Sequence, residues 1–146
     1  MSKRQLRSFR TGCALWILTG LLQAAGYFVG RPDPSGEEQA ALFSLFDGLA
    51  IPMGGVSRTL GQVYDGYSLS FALLVFLLGF LGFLWLRIPG APDSILRRVA
   101  GMNAVGALAL FLVGLPRFPV PPLACFAAVA IAFALAAWPA RVAASA

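Results

Sequence analysis

The side chains best suited to binding or charge chemistry are gathered in one stretch. Met53-Gly54-Gly55-Val56-Ser57-Arg58-Thr59 runs into Leu60-Gly61-Gln62-Val63-Tyr64-Asp65-Gly66-Tyr67-Ser68-Leu69-Ser70-Phe71. If a helix that enters the following apolar run extends back to Arg58, then Arg58, Gln62 and Asp65 fall at i, i+4 and i+7 and share one face. Two chemistries are open to such a face. A cation and a carboxylate can pair and fix the segment, with Asp65 alternatively capping the helix. Or Arg58, Ser57, Thr59 and Tyr64 can surround an anion or headgroup, since a guanidinium fork donates two parallel hydrogen bonds to phosphate or carboxylate. Arg58, Thr59, Gln62, Tyr64 and Asp65 are therefore the candidate ligand-binding or ion-pairing residues.

Little else in the 146 residues points to a reaction. There is no histidine, which removes imidazole bases, histidine-ligated haem and most zinc sites. Cys13 and Cys125 form no CxxC pair, and no GxSxG elbow accompanies the serines. The expectation is a non-enzymatic protein with no catalytic, cofactor-binding or metal-binding residues and no cofactor. Composition explains the setting. The chain is 59% hydrophobic and 12% charged, with a mean hydropathy of +0.80, far from a soluble domain. A net charge of +5 would suit nucleic acid, but the basic residues stand at the ends of apolar runs. That placement points to a lipid bilayer as partner and away from nucleic acid.

The elements that must position the candidate residues follow from the apolar runs. Four are long enough to cross a bilayer, at about 11–29, 67–87, 95–115 and 120–138. The third is expected to start near Ser94, with Pro92-Asp93-Ser94 as its capping segment, and Pro121-Pro122 open the fourth, where missing amide donors matter little. The first run could be a cleaved signal peptide, but its apolar residues continue through Tyr27-Phe28-Val29, which suits an uncleaved anchor. The expected fold is an all-α membrane protein, an up-down bundle of four transmembrane helices in a single domain over 1–146, with an extracytoplasmic segment at 30–66.

Charge gives direction. Lys3, Arg4, Arg7, Arg10, Arg87, Arg97, Arg98 and Arg141 flank one side, and Arg31, Arg58 and Arg117 the other. By the positive-inside rule both termini are cytoplasmic. Trp85 and Trp138 then fall at inner helix ends, and Tyr27, Tyr64 and Tyr67 at outer ones. Cys13 and Cys125 are offset along the membrane normal and should not bridge.

Residues 30–66 carry five of the six acidic residues. Ser35-Gly36-Glu37-Glu38 reads as a capping box before Leu42, Leu45, Phe46 and Leu49, so an amphipathic helix ending near Gly48 to Pro52 is expected, either as a packing lid or as a gate. Within the spans no ionisable group sits at mid-membrane. The strong amides are Gln23 and Asn103, which are expected to bond between helices and could alternatively line a solute path. Small residues at Gly79 and Gly82, and at Gly101, Val105 and Ala109, suggest close helix packing.

Gly55-Val56-Ser57-Arg58-Thr59 followed by Tyr64-Asp65-Gly66-Tyr67-Ser68-Leu69 resembles the signature of a family of small bacterial inner-membrane proteins with four helices and a long first outer loop. More loosely, the layout is similar to DoxX-like four-helix membrane proteins. The resemblance implies an integral membrane protein and brings no reaction with it. Family members commonly carry a histidine near the end of helix one, around Ala24 to Phe28 here, and this chain has none. The alanine, glycine and arginine content fits a bacterial chain, placing it in a plasma (inner) membrane. The functional expectation is lipid or membrane-partner binding through the outer loop, or self-association. The alternative is a small-solute permease or channel with its mouth at Arg58 and Asp65.

Overall fold

A computed structural model describes residues 1–29 and 35–138. The elements are α1 (Lys3–Val29), α2 (Glu37–Gly48), β1 (Ala50–Met53), β2 (Val56–Thr59), α3 (Leu60–Trp85), α4 (Asp93–Gly114) and α5 (Val120–Ala137). Apart from one short hairpin the described chain is helical, so the all-α reading stands. Four helices, α1, α3, α4 and α5, are long and apolar enough to cross a membrane. The expected positions of Arg31 and Arg141 lie outside the described residues.

Three helices begin earlier than their apolar runs: α1, α4 and α3, the last at Leu60 rather than near Tyr67. α1 starts at Lys3 because Ser2 and Gln5 form a reciprocal capping box: the Ser2 amide donates to Gln5 Oε1 at 2.8 Å and the Gln5 amide to Ser2 Oγ at 3.2 Å. Its 27 residues reach about 40 Å, so the basic turns are helical too. α4 starts at Asp93 rather than Ser94, with Pro92 as N-cap and no side-chain cap bond. Asp93 instead pairs with the amino-terminal ammonium of Met1.

The chain divides into two compact units, Met1–Thr19 with the segment from Val75 onward, and Gly20–Leu74. In the first, Phe9, Cys13 and Trp16 of α1 are buried with Val75 of α3 and Phe126, Val129 and Phe133 of α5. Phe9 meets Phe133 edge-on at 5.4 Å. Glycine permits the closest helix approach: a Cβ on Gly79 would lie 2.5 Å from the Cys13 carbonyl oxygen, and one on Gly82 would overlap Cys13 Sγ. Where lipid already satisfies apolar surface, such contact supplies dispersion energy that solvent exclusion does not. Cys13 and Cys125 are both free thiols, as their offset predicts.

α4 turns a different face inward from the one expected. Leu96, Ala100, Ala107 and Gly114 are buried, whereas Val105 is 70% exposed and nothing approaches Gly101 or Gly106. Asn103 shares the spacing of the buried set, and its Oδ1 accepts the indole N–H of Trp16 at 3.0 Å. Turning the Gly101 face inward would carry that amide to the outside of the helix packing, away from the Trp16 indole that bonds it. The seam follows the amide.

In the second unit α2 is followed by an antiparallel hairpin with register Ala50↔Thr59, Ile51↔Arg58, Pro52↔Ser57 and Met53↔Val56. Gly54 (φ +55°) and Gly55 (φ +88°) make the two-residue turn, a geometry with positive φ at both central positions. The Leu60 amide donates to the Leu49 carbonyl at 3.0 Å and ties the hairpin base to the end of α2.

Candidate functional site

The geometry of the outer segment depends on where α3 begins. Thr59 and Gln62 form its capping box: the Gln62 amide donates to Thr59 Oγ1 at 3.2 Å and the Thr59 amide to Gln62 Oε1 at 3.1 Å. The helix therefore starts at Leu60, and Arg58 belongs to β2. This corrects two expectations. Arg58, Gln62 and Asp65 do not share a helical face, and the cap is Thr59 rather than Asp65, which lies in the second turn of α3. Arg58 is exposed and makes no ion pair among the described residues, so the expected pairing with Asp65 is not formed.

The expected anion pocket is not assembled either. Ser57 and Arg58 are consecutive strand residues, and their side chains project to opposite faces of the hairpin. Thr59 and Gln62 are occupied by capping. Tyr64 packs elsewhere, its ring edge-on to Phe46 of α2 at 5.8 Å.

What Tyr64 does line is an apolar cavity of about 420 Å³. α2 contributes Leu42, Phe43, Leu45 and Phe46, with Leu49 at its C-cap, and their spacing of three and four puts most of them on one side of the helix. α3 contributes Leu60 and Tyr64, one turn apart. Among the described residues no charged side chain lines the cavity, and the polar side-chain group there is the Tyr64 hydroxyl. The start of α2 differs in detail from expectation. Gly36 is the N-cap without a side-chain bond, and Ser35 donates from its amide and hydroxyl to Gln39 Oε1, each at 2.8 Å. α2 buries no residue of its own, and Leu42 and Leu45 remain about 60% exposed.

The two span amides are both bonded. Gln23 Nε2 of α1 donates to Ser68 Oγ of α3 at 2.8 Å. Asn103 accepts from Trp16 across helices and returns Nδ2 to the Val99 carbonyl at 2.9 Å. Among the described residues no three histidine, cysteine, aspartate or glutamate side chains gather as a metal set.

The cavity was missed by the sequence reading, although α2 was found. Its apolar residues were legible, but the wall formed by Leu60 and Tyr64 exists only because the hairpin returns the chain to the end of α2. Gly54-Gly55 between two short extended runs was the signal.

No family model matches the chain, and neither does any curated protein or solved structure. Fold and site together define a class: a helical chain with four helices able to cross a membrane and an apolar cavity in the segment joining the first two.

Proposed function

We propose that the chain is a non-enzymatic, multi-pass protein of a bacterial inner membrane, with both termini cytoplasmic, that holds the apolar part of a lipid beneath α2. The observation that carries this reading is the cavity of about 420 Å³, whose walls are aliphatic and aromatic with no charged side chain among the described residues. Its volume falls within the range of small-molecule sites, roughly 300–1,000 Å³, and its lining offers only dispersion contacts and one hydroxyl. α2 supports a seat at the headgroup boundary: Glu37 and Glu38 stand in its first turn, and Leu42 and Leu45 stay exposed, as in an interfacial helix. The resemblance to small four-helix inner-membrane proteins is consistent with this setting. The permease reading, with its mouth at Arg58 and Asp65, has no observation of its own.

Reconstitution in nanodiscs with a phosphatidylcholine bearing a diazirine on its acyl chain tests the reading. Cross-links are expected on peptides covering 42–49 and 60–64, and Leu45→Asp should remove most of them. Labelling confined to the long apolar helices would overturn lipid binding beneath α2. Release of the protein from membranes by carbonate would overturn membrane insertion itself.

A further inference from the structure

A second concavity belongs to the unit built from Met1–Thr19 and the segment from Val75 onward. Along α1, Arg4, Arg7, Ser8, Thr11 and Leu15 recur at spacings of three and four and form one stripe. Along α5, Ala128, Ile131, Ala132 and Leu135 do the same. The stripes bound a groove of about 500 Å³. The helices run antiparallel here, since Gln5 Nε2 near the start of α1 donates to the Trp138 carbonyl at the end of α5.

The groove is graded along its length. Two guanidinium groups stand at one end, two hydroxyls follow, and the rest is aliphatic. Arg4 to Leu15 covers about 16 Å of helix. Neither arginine has an acidic partner among the described residues, and α1 contains no Asp or Glu to supply one. Ala128 and Ala132 keep the α5 wall shallow, which leaves room for a chain between the larger Leu15 and Ile131.

We propose that this groove binds one anionic phospholipid, its phosphate held by Arg4 and Arg7 and an acyl chain lying along Leu15, Ala128 and Ile131. A free phosphate would use the arginines and leave the aliphatic length unfilled. Two unpaired cations beside a single phosphate also favour a headgroup without its own ammonium. The inference rests on the reading of the chain as membrane-spanning and is independent of the cavity beneath α2.

Native mass spectrometry of the full chain in neutral detergent can count bound phosphatidylglycerol against phosphatidylcholine of the same acyl chains. Phosphatidylglycerol is expected to be retained preferentially. Arg4→Gln with Arg7→Gln should weaken it roughly thirtyfold, at the usual contribution per basic residue, while Lys3→Gln with Arg10→Gln, which removes equal charge outside the groove, should change it only a few-fold. Ala128→Trp, which fills the apolar length, should weaken both lipids, and millimolar glycerol phosphate should fail to compete. Equal loss in the two double variants, equal retention of both lipids, or displacement by glycerol phosphate would each overturn the proposal. Carbonate extraction keeps the two readings apart: a wild-type chain that stays in the membrane without lipid preference sinks the groove alone, whereas one that is released sinks the membrane reading.

Discussion

At the scale of single residues, the glycines of the long helices divide by what they touch rather than by their type. A side chain on Gly79 would press on the backbone of α1, which cannot move aside as the tip of a side chain can. Gly106 of α4 has open space around it. Gly79→Val is therefore expected to destabilise the protein by about 1–3 kcal/mol, the usual range for overpacking, while Gly106→Val stays near neutral. Unfolding in mixed micelles, followed by loss of Trp fluorescence change, measures both; equal effects would mean that the α1–α3 contact does not depend on glycine. The bond from Trp16 to Asn103 operates at the same scale. It satisfies the amide, and it decides which of two similar small-residue faces of α4 packs inward.

At the scale of elements, the hairpin is the deciding feature of the outer segment. Gly55 holds a left-handed backbone that a β-branched residue resists, so Gly55→Val should cost about 1–2 kcal/mol and loosen the hairpin. Hydrogen exchange at the β1 and β2 amides should accelerate, and lipid cross-linking at 60–64 should fall with it, because the hairpin carries Leu60 and Tyr64 back to α2. Unchanged exchange would show that the turn is not needed to hold β1 against β2. Much of this level was readable in advance. The apolar runs located all four long helices, and the stripe Leu42, Leu45, Phe46, Leu49 located α2. The starts were less legible, because an apolar run marks where a helix is apolar, not where its hydrogen bonds begin. Ser2 with Gln5 and Thr59 with Gln62 carry that information in their spacing, and the second pair excludes Arg58 from the helix.

At the scale of the whole molecule, the proposed orientation can be tested without knowing any ligand. Eight basic residues on one side against three on the other predict that Ser57 is outside and Ser2 inside. With the native cysteines replaced, a membrane-impermeant maleimide added to intact cells should label the Ser57→Cys variant and leave the Ser2→Cys variant unlabelled until the membrane is opened. The reverse pattern would invert the topology and with it the leaflet assigned to the Arg4 and Arg7 groove.

Chain chemistry alone determined that four rods are apolar enough for a bilayer, that histidine-dependent and paired-cysteine chemistry is absent, and that charge lies unevenly between their ends. These properties are sums over local side chains and need no knowledge of neighbours. Which residues share a cavity was decided by tertiary structure alone. Tyr64 left the expected polar cluster for Phe46, and Arg4 and Arg7 gained an aliphatic groove from α5, more than 120 residues away in the chain. Such meetings depend on the rotation of each helix and the path of each turn, and those are set by a few long-range contacts that no local pattern encodes.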